Sequence, residues 1–266
     1  MPTITSYTTK CDLTLPPPRR YGGRPRADDR AALAGIVYQL RTGVPWRLLP
    51  TRQLGCGSPV TCRRRLRDWQ RAGVWRRLHQ VLLDQLGHQG QLDWSRASLD
   101  SVSVRAKRGL PDRPEPDRPR QARLQVPSAG RPPWHPAGGV LVGANTHDSM
   151  LLERVVDAVM PVKGPRGRPG RPRKRPVKLH GDKGYDYPRC RRVLRRRGIT
   201  PRIARRGIEA SDRLGRHRYV AERSLAWLVG YRRLQVRYER RADILLGFAQ
   251  LACALICLRS LHQPRV

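Results

Sequence analysis

Between Arg108 and Gly139 the chain carries eight prolines, Pro111, Pro114, Pro116, Pro119, Pro127, Pro132, Pro133 and Pro136, among arginines and glycines and with almost no apolar pattern. Proline has no N–H to give to a ladder and its φ is fixed, so such a stretch neither completes a sheet nor buries an apolar face. It is expected to be disordered, and the core must come from the regions on either side. A chain of 266 residues has room there for one domain of ordinary size and a smaller one.

Upstream, residues 1–27 are rich in proline and arginine without periodicity and are expected to form a disordered basic tail. Order is expected from Asp28, because Asp28 and Asp29 can cap and charge a helix start. Leu33, Ile36, Val37 and Leu40 then recur at i, i+3, i+4 and i+7 until Gly43-Val44-Pro45 ends the helix. A second helix is expected over 58–72, opened by Ser58-Pro59 and carrying Arg63, Arg64, Arg65, Arg67 and Trp69. A third follows Gly73, with Val74, Leu78, Val81, Leu82 and Leu86 as its buried stripe. Three short helices with a basic middle one suit a small all-α DNA-docking domain of helix-turn-helix character over 28–92. A plain bundle whose arginines form a solvated face has the same pattern.

Downstream of Arg96 the period changes. Residues 97–104 alternate like a strand that contains Asp100, and 177–181 read as a buried strand delivering Asp182 at its C-terminal end. Helices are expected over 149–159 and 187–197, with a short strand over 199–203 and two closing helices over 216–233 and 242–261. Strands alternating with helices indicate an α/β domain over 93–266.

The formal charge of +35 and a pI near 11.6 call for a polyanionic partner, nucleic acid above all. Arginine-rich coding contributes, since only six of the 55 basic residues are lysine, but the acids are also few, at 20. No apolar run approaches the roughly 18–20 residues that a bilayer demands, and residues 1–15 lack the basic-then-apolar order of a secretion signal. A cytoplasmic, nucleoid-associated protein with no membrane partner is expected. Cys11, Cys56, Cys62, Cys190, Cys253 and Cys257 form no CxxC pair, which argues against a zinc site or a disulfide framework.

In a chain this poor in acid, single carboxylates still stand at strand ends and on an amphipathic helix. Cleavage of a phosphodiester uses carboxylates that hold two divalent ions about 3.5–4 Å apart. Asp100, Asp182 and Glu222 are separated by 82 and 40 residues, a spacing that is weak evidence by itself. Arg218 and Glu222 lie four apart on one helix face, which sets a cation beside the carboxylate or makes an ordinary surface ion pair.

The segments Asp28 to Val37, Leu40 to Arg47 and Trp69 to Trp75 resemble the N-terminal domain of insertion-sequence transposases of the Asp-Asp-Glu type, in branch five of the four-and-five superfamily. Leu99-Asp100-Ser101, Ala144 to Ser149, Asp182-Lys183-Gly184-Tyr185-Asp186, Arg218 through Arg223, Ala226-Trp227-Leu228 and Arg232-Arg233-Leu234 resemble that branch's catalytic domain in order and spacing. The likeness covers about 28–107 and 140–260. It implies an RNase H-like fold with Asp100 and Asp182 on strands and Glu222 on a helix, the three holding two Mg²⁺ or Mn²⁺ ions as ligands rather than proton shuttles. The expected DNA-binding set is Arg63, Arg64, Arg65, Arg67, Lys183, Arg218, Arg232 and Arg233. Implied partners are double-stranded DNA, as element ends and target, and a second copy of the chain or a larger synaptic assembly. Two positions depart from the superfamily's pattern, Gly215 where a tyrosine is usual and Val229 where a lysine is usual, and Arg232 or Arg233 would then supply the phosphate-contacting cation.

The likeness lapses at 108–139 while the flanking motifs keep the family's separation, so the native segment has been replaced rather than lengthened. Back-translated with GC-rich codons and shifted by one base, 113–125 reads Gly-Pro-Ser-Pro-Ile-Asp-Arg-Gly-Lys-Pro-Gly-Ser-Lys, which looks like the family's own sequence there. Residues 134–137 likewise permit Gly-Ile-Pro-Leu. A frameshift near Arg108 with a compensating one near Gly139 is the expectation. It carries a corollary: a sheet without its hairpin beside Asp100, and an alternative function as a catalytically impaired remnant that only binds DNA.

Overall fold

A computed structural model of the chain describes residues 27–106, 122–129, 135–143, 146–165, 167, 170–208 and 226–262. The expected basic tail and residues 107–121 lie outside them.

The first ordered helix, α1 (Asp29–Thr42), starts where its cap directs: the Asp28 carboxylate accepts the N–H groups of Arg30 and Ala31 at 3.2 and 3.0 Å. It stops at Gly43, whose φ of 69° is the left-handed conformation that closes a helix C-terminus. A single helical turn, α2 (Thr51–Leu54), precedes α3 (Pro59–Arg71), which Ser58 caps by accepting the Thr61 N–H, with Pro59 in the first turn. Gly73, also left-handed, separates α3 from α4 (Val74–His88). Leu33, Ile36, Leu40, Leu66, Trp69, Trp75, Leu78, Leu82 and Leu86 are buried between these helices, and Trp69 meets Trp75 edge to face at 5.5 Å.

A mixed sheet follows. Its long strand β1 (Arg96–Ala106) pairs antiparallel with β2 (Ala122–Ala129), in register from Ala97 opposite Ala129 to Val104 opposite Ala122. On its other side β2 pairs antiparallel with β3 (His135–Pro136) and β4 (Val140–Gly143). After α5 (Asp148–Asp157), strand β5 (Lys178–Gly181) runs parallel to β1, and after α6 (Pro188–Arg196), β6 (Thr200–Ile203) runs parallel to β5. A turn of helix α7 (Arg232–Gln235) leads into β7 (Val236–Arg237), which pairs with the end of β1. Leu151, Leu152, Val155, Val156, Cys190 and Leu194 from α5 and α6 cover Ala97, Leu99, Leu179 and Ile203 of the sheet. The described chain is thus a mixed α/β structure with an N-terminal helical region.

Strand β2 corrects the expectation of disorder across 108–139, at least over 122–129 and 135–139, and with it the loss of the hairpin beside Asp100. The reason lies in where the proline falls. Pro127 faces Leu99 in the β1 register, and on the other edge it sits between the stretch paired with β4, which ends at Gln125, and the stretch paired with β3, which begins at Ser128. A missing N–H costs least where the outer ladder is already broken.

Two further expectations change. The closing helix α8 (Ala242–His262) is 21 residues long with a mean hydropathy of 2.0 over its most apolar stretch, so one apolar run is after all long enough to cross a bilayer; 78% of that stretch is buried inside the protein. A helix apolar on every side is either a core helix or a membrane span, and α8 packs its Ile244, Leu245, Phe248, Leu251, Ala252 and Leu255 into the same core as α1, α3 and α4. The boundary expected at residue 93 therefore divides the sequence and not the core. The helix expected over 216–233 is interrupted in its described part: residues 226–229 are helical, Gly230 and Tyr231 break the run, and α7 begins again at Arg232.

Candidate active site

The last register pair between the parallel strands β1 and β5 is Ser98 opposite His180. Asp100 lies two residues beyond Ser98 within β1, and Asp182 two beyond His180, just past the end of β5; these are the two acid stations. Asp100 remains within β1, opposite Val126 of β2. Asp182 follows β5 with an extended backbone, φ −75° and ψ −179°.

What holds Asp182 is local. Its Oδ1 accepts the Gly184 N–H at 2.9 Å, capping a single 3₁₀ turn over Lys183–Tyr185. A Cβ at Gly184 would stand 2.9 Å from that same oxygen, so the turn needs glycine there for closeness. The Asp182 residue is exposed. Tyr185 drives the opposite way: its ring is 1% exposed and packs under Gly181, where a Cβ would lie 3.3 Å from the ring. The other acid of the run is spent on structure. Asp186 accepts from Arg191 at 2.6 Å and from the Arg206 N–H at 2.9 Å, and those contacts hold its carboxyl below the usual carboxylate range. Of two acids four residues apart, one is locked and one is presented.

The run Thr146-His147-Asp148-Ser149 supplies the neighbouring wall. Asp148, in the first turn of α5, accepts from Ser101 Oγ at 3.2 Å, which ties the helix to the residue after Asp100. His147 caps α5 by accepting the Ser149 N–H on Nδ1 at 3.2 Å. Ser149 Oγ lies 2.7 Å from the same ring nitrogen and accepts from Arg189 at 2.5 Å, while Cys190 Sγ donates to the Ser149 carbonyl at 3.4 Å. One short run thus links β1 to α6 beside both acid stations.

The expected cations divide by what they touch. Arg63 and Arg64 are exposed on α3. Arg65 pairs with Asp29 at 2.8 Å, which braces α3 against α1, and Arg67 pairs with its neighbour Asp68 at 2.8 Å. Lys183 directly follows Asp182, and its carbonyl accepts from Arg206 Nε at 3.0 Å. Arg232 is exposed, with its Cβ and main chain against Gly43. Arg233 is not available to a phosphate: it is 4% exposed, pairs with Glu239 at 2.5 Å and lies 4.6 Å from the centre of the Tyr238 ring. Arg218 and Glu222 lie outside the described residues.

Asp182, capping its own turn, and the Ser101–Asp148 contact with its Arg189–Ser149–His147 chain are where reading the sequence fell short. The run at 146–149 and the arginines at 205–206 were visible there, but nothing local said that they converge on one edge of the sheet. Carboxylate oxygens are hard donors of the kind that suit Mg²⁺ or Mn²⁺. Among the described residues no three His, Cys, Asp or Glu side chains come together as a metal-sized group.

Residues 10–79 match a family model described as "Putative transposase of IS4/5 family", and residues 136–257 match one described as "Transposase DDE domain". Asp182 and Glu222 fall inside the second match, and Asp100 falls between the two. The "Putative transposase for insertion sequence element IS402" of Burkholderia cepacia is 46% identical over 128 residues, 48% of this chain and 59% of that protein. An uncharacterized 16.2 kDa protein of the insertion element IS402, from the same organism, is 55% identical over 102 residues, 37% of this chain and 69% of that protein. The chain thus spans less than two thirds of the first relative's length. A solved structure described as a pre-cleavage Mos1 transpososome aligns over 94% of this chain and 83% of its own at 14% identity, with a TM-score of 0.30, too loose a likeness to bear on the fold.

Proposed function

The chain belongs to the DDE transposases of insertion sequences, and from that premise we propose that it binds the terminal inverted repeats of its element and carries out metal-dependent cleavage and strand transfer of DNA. The observation that carries this reading is the parallel pairing of β1, which contains Asp100, with β5, which Asp182 directly follows. With Glu222 as third ligand, these acids would hold two Mg²⁺ or Mn²⁺ ions. Bound there, such a pair supplies activation of water or a 3′-hydroxyl and stabilisation of the leaving oxygen.

The chain's own residues do the rest. Asp182 is presented by the turn it caps, which fixes where its second oxygen stands. Arg218, four residues before Glu222 in the sequence, would supply a cation for the phosphate, and exposed Arg232 would serve the same strand. Arg63 and Arg64 on α3 would dock the element end in helix-turn-helix fashion, while Arg65 braces that helix against α1 through Asp29. The finer assignments, branch five of the superfamily, an RNase H-like fold, a synaptic dimer or larger assembly, and work in the cytoplasm at the nucleoid, belong to the same proposal. The remnant reading rested on a missing hairpin, and the pairing of β1 with β2 speaks against it.

The test is a cleavage assay on a supercoiled plasmid carrying both ends of the element cloned from its locus, with Mg²⁺. The wild type should cut at the ends and leave 3′-hydroxyls, while Asp100→Asn, Asp182→Asn and Glu222→Gln should each fall more than about a hundredfold, beyond the loss typical of disturbing an outer shell. Undiminished cutting by any of the three removes that residue from the mechanism.

A further inference from the structure

Tyr187 stands at the centre of a cationic cluster that the cleavage reading does not use. The guanidinium carbons of Arg189 and Arg206 each lie 4.9 Å from the centre of its ring, and the His147 ring meets it edge to face at 5.4 Å. Both arginines and His147 are exposed. Two like charges gathered on one ring repel each other, and ordinary pairing would bring a carboxylate to them. That happens elsewhere in this chain: Arg65, Arg191, Arg197, Arg233 and Arg241 all meet acids. Arg189 instead donates to Ser149 Oγ, and Arg206, whose main-chain N–H binds Asp186 and whose charge acts on that carboxyl, gives its side-chain donors to the Lys183 carbonyl and the Tyr187 hydroxyl.

These hydrogen bonds aim the cluster. Arg206 is bonded to the residue that follows Asp182, and His147 precedes the Asp148 that Ser101 contacts beside Asp100. His147 Nδ1 accepts the Ser149 N–H, so the ring hydrogen sits on Nε2 and is the donor left for a ligand. Guanidinium groups preset against an aromatic face lose little freedom on binding and match the oxygens of a phosphate.

We propose that Arg189, Arg206 and His147, arrayed around Tyr187, form a phosphate-gripping edge that holds the DNA backbone next to the acid stations. The occupant is the sugar-phosphate backbone, since donors and cations dominate the cluster and its ring is already covered by guanidinium groups. They are positioning residues: they bind the strand and touch no reacting atom. The inference rests on the DNA-cleavage reading for its meaning, but its test does not depend on chemistry.

In an Asp182→Asn background without metal, binding of a fluorescently labelled duplex of mixed sequence is followed by anisotropy across a salt series. Each phosphate contact contributes about 0.9 to the slope of log binding constant against log salt. Arg189→Gln with Arg206→Gln should make the slope shallower by about 1.8, and Arg189→Gln alone by about 0.9, because glutamine keeps a donor for Ser149 but no charge. Arg154→Gln with Arg259→Gln, which removes two exposed charges elsewhere, should leave the slope unchanged. Equal slopes for the parent and the Arg189/Arg206 variant overturn the proposal, and so does an equal loss in the Arg154/Arg259 control. The shallower slope, together with a wild type that fails to cut the element-end plasmid in Mg²⁺, would sink the cleavage reading and leave the phosphate edge standing.

Discussion

Two aspartates in one five-residue run look alike on paper and do opposite work in the fold. Asp186 is answered by Arg191 and by the main chain of Arg206, which welds the run to α6 and to the segment after β6. Asp182 caps its own turn and stays exposed. Replacing Asp186 by asparagine should therefore cost about 2 kcal/mol of stability, the weight of charge-assisted hydrogen bonds left weakened, whereas Asp182→Asn should stay within about 0.5 kcal/mol of the wild type. Chemical denaturation of the two variants checks this, and an equal loss in both would mean that the capped turn, and not the Arg191 contact, holds the run. The depressed Asp186 carboxyl adds stability that is present above the ordinary carboxylate range and is lost only as pH falls through its lowered value.

Elements whose ends are written in short-range chemistry were legible. Asp28, Gly43, the Ser58-Pro59 pair and Gly73 fix the helix limits within a residue of where they were expected, because caps and left-handed glycines act on their immediate neighbours. The strand that delivers Asp182 was legible too, from Val177 and Leu179 alternating with Lys178 and His180 before Gly181, though only Leu179 of β5 is buried. β2 was not, since its register comes from β1 residues that lie 18 (Val104 to Ala122) to 32 (Ala97 to Ala129) positions earlier, and its one proline is tolerated only through a break in the outer ladder. Nor was the place of α8: its composition says buried or membrane-spanning, and only the packing shows that it fills the core between α1, α3 and α4. Of the candidate site, the acids proposed as ligands come from motif resemblance. The phosphate edge was not legible, because Arg189, Arg206 and His147 meet only through the fold.

At the scale of the whole molecule, the helical region and the sheet are joined by buried histidines. His79 of α4 lies 2.8 Å from the Pro136 carbonyl of β3, and His135 is buried beside it. Burial pushes both down to about 4, so the folded protein keeps them neutral while the unfolded chain protonates them near pH 6.5. The unfolded state then binds more protons between pH 6.5 and 4, and stability falls across that window as pH is lowered, by up to about 3 kcal/mol per histidine. Denaturant midpoints should drop between pH 7 and pH 5, and an unchanged midpoint would refute a neutral, buried pair at this junction. Whether three acids far apart in sequence share one pair of metal ions is answered by electron paramagnetic resonance of Mn²⁺ added to the protein bound to an element-end duplex. Two coupled Mn²⁺ ions per chain are expected, with the coupling lost in Asp100→Asn, in Asp182→Asn and in Glu222→Gln alike; a coupled pair that survives any one of these substitutions rules the shared site out.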